Sequence, residues 1–139
     1  MDAASIAEYI TSTFEDVQTS SAYGYEFFFY STERKLPFAT LATSDNDYDR
    51  VSQLDRPGVF RLNIGVSRPT FQSLFGAERA DPSAYDFSAL DTIMPHPDYA
   101  AQSWICVLSP SDASLQRVQQ LLAEAYDIAV RRHSRRAPD

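Results

Sequence analysis

The sequence predicts an α+β domain: a two-layer sandwich in which helices cover one face of a four-stranded, mainly antiparallel sheet, with element order α-β-β-β-α-β-α. Three observations carry that prediction. Residues 59–66 alternate, with Phe60, Leu62, Ile64 and Val66 on one side and Arg61, Asn63 and Gly65 on the other, which is the two-residue period of a half-buried strand. The aromatic run 25–30 and the gentler alternation of 38–43 stand on either side of Glu33-Arg34-Lys35, as the two strands of a hairpin do. Leu115, Val118, Leu122, Ala125 and Ala129 then recur at helical spacing to about Arg132, the stripe of an amphipathic helix.

Each element has its own signal. Ser5-Ile6-Ala7-Glu8 fits a capping box, and Ile6, Ile10 and Phe14 lie on one face of a first helix that ends near Phe14. The two hairpin strands follow. After an acidic loop, Arg56-Pro57-Gly58 turns the chain into the clearest strand, 59–66. Ser67 is placed to cap a short helix carrying Phe71, Leu74 and Phe75, with Pro69 in its first turn and Gly76 where a left-handed stop is favoured. Residues 77–101 are rich in Pro, Asp and Tyr and too long for an ordinary connection, which marks a functional loop, a lid or a structured excursion with a helical turn at 89–93. Residues 103–108 read as the last strand, and Ser109-Pro110-Ser111-Asp112 opens the final helix with a cap, a proline and a carboxylate. A single domain is expected over 1–132, with 133–139 a basic, frayed tail. If the apolar set of 59–66 faces the helices, Arg61 and Asn63 project onto an open sheet face.

Composition removes several function classes. With 139 residues, 44% of them hydrophobic and 13% aromatic, the chain can bury one real core and is not disordered over most of its length. Twelve basic against nineteen acidic residues give a net charge of −7, so the average surface repels phosphate backbones and anionic lipid. Nucleic-acid binding is disfavoured even though Arg131, Arg132, Arg135 and Arg136 crowd one end. Cys106 is the single cysteine and cannot form an internal disulfide. No apolar run reaches the length of a membrane span, and residues 1–10 lack a signal-peptide pattern, so a cytoplasmic protein is expected. Eleven arginines against one lysine, Lys35, point to the coding bias of a GC-rich bacterial genome.

Leu54-Asp55-Arg56-Pro57-Gly58-Val59-Phe60-Arg61-Leu62-Asn63-Ile64-Gly65-Val66 and Met94-Pro95-His96-Pro97-Asp98-Tyr99 resemble the domain of unknown function numbered 6194, over nearly the whole chain. A more distant resemblance, to MmcQ/YjbR-like proteins, is carried by residues 62–66, 70–75, His96, Trp104 and Ala125-Tyr126. That resemblance implies a frataxin/YjbR-like sandwich and supplies no function. The DNA-binding role proposed for that wider group fits an acidic chain poorly, and the long loop from Ala77 departs from its compact members.

Candidate chemistry is sparse. Ser44-Asp45-Asn46-Asp47-Tyr48-Asp49 begins like a calcium loop, but Arg50 stands where glycine is needed and Arg56 where a bidentate glutamate is needed, so a solvated turn is expected. His96 lies between two prolines with Asp91 and Asp98 nearby. An imidazole can serve as acid or base at neutral pH, but holding the loop by hydrogen bonds is the favoured role. No second internal histidine supports a metal, and Cys106 sits on a packed strand. There is no Gly-x-Ser-x-Gly elbow, and four glycines leave no phosphate cradle, so no cofactor is expected. Arg61, in mid-strand, must reach water or meet an acid. Asp55 and Asp91 are the expected partners, with a structural ion pair and a ligand clamp equally open.

The leading functional expectation is a binder of a small planar or anionic molecule on the open sheet face beneath the 77–101 loop, through Arg61, Asn63, His96, Tyr99 and Trp104, with Phe27, Phe29 and Tyr48 alongside. Two alternatives stand beside it. One is an enzyme using His96 as acid or base and Arg61 as anion anchor. The other is a homodimeric protein-interaction module built on exposed aromatics or a strand edge.

Overall fold

Six antiparallel strands form one sheet in the computed structural model, which describes residues 1–32, 35–78 and 81–136. The strands are β1 (Val17–Ala22), β2 (Tyr25–Tyr30), β3 (Ala39–Ala42), β4 (Arg61–Gly65), β5 (Met94–Pro95) and β6 (Trp104–Leu108). Their order across the sheet is β1-β2-β3-β4-β6-β5. Helices α1 (Ala3–Thr13), α2 (Arg68–Phe75) and α3 (Asp112–Arg136) pack on one face. The α+β class is the predicted one. The four expected strands are all present, and β1 and β5 are added to them.

Both additions have weak sequence signals. β1 is polar, and its last four residues are exposed, so it lacks the alternation that marks a half-buried strand. It is held by a two-residue turn in which Tyr23 and Gly24 take φ 55° and 81°, the pair of positive angles whose twist matches a hairpin. A side chain at Gly24 would also overlap the Ser44 hydroxyl. β5 is only two residues long and is recruited by pairing Met94 with Cys106 and Pro95 with Ile105.

Several boundaries move. α1 is capped by Asp2, whose carboxylate accepts the Ser5 N–H at 2.8 Å, so the helix begins three residues ahead of the expected capping box. α2 is capped by Ser67 and stops at Gly76, as predicted. α3 runs on to Arg136 rather than ending near Arg132, with the His133 ring 5.3 Å from that of Tyr30. Residues 133–136 of the expected tail are therefore helical, and 137–139 lie outside the described residues, as do Glu33 and Arg34 of the expected hairpin turn. No helix forms at 89–93. The 77–101 excursion instead makes single 3₁₀ turns at Pro82–Ala84 and Ala100–Gln102, with β5 between them.

The main core lies between helices and sheet. Ile6 and Ile10 of α1, Phe28 of β2, Leu62 and Ile64 of β4, Ile105 and Val107 of β6, and Val118, Leu121 and Leu122 of α3 all belong to it. The other face is not open, which corrects the sequence-based expectation. The loops 43–59 and 81–103 lie across it, and their Leu54, Phe87 and Met94 form with Ala42, Cys106 and Leu108 of the sheet a second, smaller core, flanked by Tyr25 and Tyr85. The physical reason is that the excursion carries Tyr85, Phe87 and Met94, apolar side chains that the sheet face shelters from water.

Candidate functional site

Strand β4 positions the first two candidate residues. Arg61 stands between Ala42 and Leu108, and Asn63 between Thr40 and Cys106. Both side chains point to the loop-covered face and are buried, Arg61 completely. A guanidinium in that position needs partners for its charge and for its N–H groups. Asp49 supplies the charge, accepting from Nη1 at 3.2 Å and Nη2 at 2.6 Å in a two-pronged pair. The Ser52 hydroxyl accepts a further Nη1 bond at 3.0 Å, and Asn63 Oδ1 takes the Nε–H at 3.0 Å. Asn63 passes the chain on by donating to Thr40 Oγ1 at 2.9 Å. Tyr25 closes the network from the strand side through a hydrogen bond from its hydroxyl to Asp49.

The expected partners of Arg61 were Asp55 and Asp91, and the structure assigns both elsewhere. Asp55 accepts the Asp45 N–H, and Asp91 holds the Ser111 N–H and hydroxyl ahead of α3. Asp49 belongs to the motif that began like a calcium loop. Its acids are likewise committed: Asp45 accepts the Leu54 N–H, and Asp47 pairs with Arg50 at the surface. Among the described residues no cluster of metal-ligating side chains occurs.

Electrostatics follow from this packing. Burial pushes the Asp49 carboxyl up, but the hydrogen bonds from Arg61 and Tyr25 and the Arg61 charge outweigh it and hold the group below its ordinary value. Burial also works against the Arg61 charge, and Asp49 more than restores it. Burial raises Tyr25, and its bond to Asp49 adds to the effect.

His96 sits at the end of β5. Its backbone N–H donates to Trp104 O at 2.9 Å, and Nδ1 accepts the N–H groups of Asp98 and Tyr99 at 3.0 and 3.1 Å. An imidazole that accepts at Nδ1 is neutral and carries its proton on Nε2. Burial, reinforced by the Arg61 charge, pushes its pKa down to about 3. The Tyr99 ring lies 4.9 Å from the imidazole and is itself more than half exposed. Trp104 lies over Gly65, directly opposite it in the sheet, where a Cβ would come 2.9 Å from the indole. Phe27 and Phe29 stack on each other, whereas Tyr48 stands almost fully in solvent. The structure thus joins Arg61 and Asn63 in one network, keeps His96 within its field, ties Tyr99 to the His96 turn, and leaves Tyr48 outside.

This arrangement can do little chemistry by itself. Arg61 would have to leave Asp49 to grip an anion, His96 is not basic at neutral pH, and burial pushes the Cys106 thiol up to about 12. Two accessible concavities lie away from this network, one of about 480 Å³ between α1 and the β1–β2 turn and a larger one next to the His96 turn. A cleft of about 740 Å³ runs between α2 and the turns that flank the excursion, lined by Arg68, Phe71, Gln72, Glu78, Pro97 and Asp98 among others. Sequence reasoning missed it because its lining comes from three separated segments, of which only the 97–98 turn adjoins a predicted residue.

The protein so defined is an open antiparallel α+β domain with helices on one sheet face and hydrogen-bonded loops, held over a buried arginine–aspartate pair, on the other. The chain belongs to a family of unknown function (DUF6194), whose pattern matches residues 1–138. No curated protein and no solved structure matches it. Among the described residues no helix is long and apolar enough to cross a membrane.

Proposed function

We propose that the protein binds a small polar molecule in the cleft beside the 77–101 excursion rather than against Arg61. The observation that carries this reading is the cleft itself, whose volume of about 740 Å³ suits a metabolite-sized guest. Its wall combines apolar surface from Phe71, Pro82 and Pro97 with the charged side chains of Arg68, Glu78 and Asp98. A flat molecule bearing both an acidic group and a hydrogen-bond donor answers that lining better than a simple anion. His96 then serves as a positioning residue, because it fixes the backbone of the turn that presents Pro97 and Asp98.

A cytoplasmic setting belongs to the same proposal. The more distant MmcQ/YjbR-like resemblance is supported by the order of strand, short helix, His96 turn, Trp104 strand and final helix, and it brings no ligand with it. The test is a nuclear magnetic resonance screen of small planar acids and zwitterions against the whole chain. Binders are expected to perturb residues of the cleft and to lose at least tenfold in affinity with Arg68→Ala or Asp98→Ala. Hits that perturb only other surfaces, or that bind both variants unchanged, overturn the reading.

A further inference from the structure

The loops that cover the sheet carry many acids, and all but one are committed within the fold. Asp45 and Asp55 accept backbone N–H groups, Asp47 and Asp49 pair with Arg50 and Arg61, and Asp81, Asp86 and Asp91 hold the hydroxyls of Ser83, Ser88 and Ser111. Asp98 is the exception, and it lines the cleft together with Glu78 and Arg68. Among the described residues none of these three side chains enters an ion pair or a hydrogen bond.

The backbones that carry them are nevertheless fixed. Glu124 of α3 accepts the Ser67 N–H at 2.7 Å and the Thr70 hydroxyl at 2.8 Å, which anchors the first turn of α2, where Arg68 lies. His96 Nδ1 accepts the N–H of Asp98 at 3.0 Å. The fold thus sets charged side chains around the cleft without neutralising them, which leaves the complementary charge to come from a guest. Two carboxylates stand against one guanidinium in that lining, so the excess is negative. The whole chain, at a net charge of −7, adds a field that draws cations.

We propose that the group answering Glu78 and Asp98 is a cation: the guest is a small flat amine or guanidine that also carries a carboxylate for Arg68, and its cation outweighs its carboxylate in affinity. This assignment rests on the cleft being the binding site. A neutral donor offers Glu78 and Asp98 hydrogen bonds but leaves both charges uncompensated as the guest displaces water. An ammonium offers three N–H groups and a charge, and charge-assisted bonds are roughly twice as strong as neutral ones.

Four compounds separate the contributions: para-aminomethylbenzoate, its neutral counterpart para-hydroxymethylbenzoate, benzylamine and benzoate. Each is titrated into the whole chain at neutral pH and followed by nuclear magnetic resonance. Para-aminomethylbenzoate is expected to bind about tenfold more tightly than para-hydroxymethylbenzoate, as a charge-assisted bond in place of a neutral one implies, and benzylamine more tightly than benzoate. That preference is expected to disappear in the double variant Glu78→Gln, Asp98→Asn, whose spectrum away from the cleft should match the parent, and to shrink as salt is added. Equal affinities for the amine and the alcohol, benzoate ahead of benzylamine, or an unchanged preference in a folded double variant overturns the assignment while leaving the cleft as a binding site. Shifts confined to other surfaces, or none at all, overturn both.

Discussion

The two faces of the sheet are held by different physics although they share the same strands. Leu62 and Ile64 ask only to be removed from water, and α1 and α3 do this for them. Arg61 and Asn63, one residue along in each case, must find partners for a charge and for several hydrogen-bonding atoms; a loop brings Asp49 and Ser52 to Arg61, and the sheet itself supplies the rest by joining Arg61 to Asn63 and Asn63 to Thr40. At Leu62 and Ile64 stability scales with buried area and involves no proton, although the helix layer also carries a titrating contact in Glu124, which accepts the Ser67 N–H and the Thr70 hydroxyl. On the loop side it depends on every partner being present and in the right protonation state. A β-strand can thus fasten a helical layer by area on one side and an irregular layer by specific bonds on the other.

Breaking the ion pair is the severest test of that contrast. Asp49→Ala leaves Arg61 buried and uncompensated and is expected to cost about 3–5 kcal/mol in denaturant unfolding. Leu62→Ala, on the opposite face of the same strand, is expected to cost a similar 2–5 kcal/mol, roughly, through its cavity. The two losses differ in how they can be repaired. Adding Arg61→Met to Asp49→Ala removes the orphaned charge and should recover part of the stability, whereas the same change added to Leu62→Ala should only worsen it. Equal behaviour of the two faces in that cycle would refute the distinction.

His96 comes next in size. His96→Ala strands the N–H groups of Asp98 and Tyr99 and is expected to cost about 2–4 kcal/mol. His96→Asn, whose amide oxygen can accept those bonds, should cost clearly less, as thermal melts of the two variants would reveal.

The pH dependence sharpens the comparison further. A histidine held near 3 in the fold, against an ordinary 6.5, binds fewer protons folded than unfolded throughout that interval. Its stabilising contribution is therefore complete above about pH 6.5 and declines as pH falls toward 3, by at most about 1.4 kcal/mol per unit. The lowered Asp49 adds a later loss: its contribution is present above the ordinary carboxylate value of 3.8 and disappears as pH falls through its lower folded value. Unfolding curves between pH 7 and 4 should flatten in His96→Asn and keep their slope in Leu62→Ala.

Gly65→Ala carries the smallest expected effect, about 1 kcal/mol, because the partly exposed indole of Trp104 can slide away from the new methyl group. Trp104 is the single tryptophan, so a shift in its emission reads that movement directly. Unchanged emission would mean that the strand, rather than the indole, had given way.

How much of this was legible depended on the same divide. β4, α2 and α3 announced themselves because burying one apolar face imposes a period, and a period is visible in a single chain. β1 has nothing to bury on either face of its exposed end and so left no period. Its turn used Tyr23-Gly24 in place of the common asparagine–glycine pair. At the candidate site, the place of Arg61 in an apolar strand showed only that it must reach water or meet an acid, and the structure answers with an acid. Which acid answered could not be read, because Asp49, Asp55 and Asp91 all lie in irregular loops, and the choice among them is made by the path of the backbone. Holding its loop by hydrogen bonds was the favoured of two roles for His96, and Nδ1 does accept the N–H groups of Asp98 and Tyr99. The cleft beside it was not foreseen, because it exists only where α2 and the two ends of the excursion meet.

Cys106 gives the buried second layer a clock. Its thiol is fully covered on β6, between Asn63 and Met94, and is raised to about 12, so an alkylating reagent in neutral solution finds neither access nor thiolate while the loops are closed. Labelling must wait for the excursion to lift or the strand to open. The rate at which this one sulfur is captured then times the detachment of the loop layer, separately from the melting of the helices on the far side.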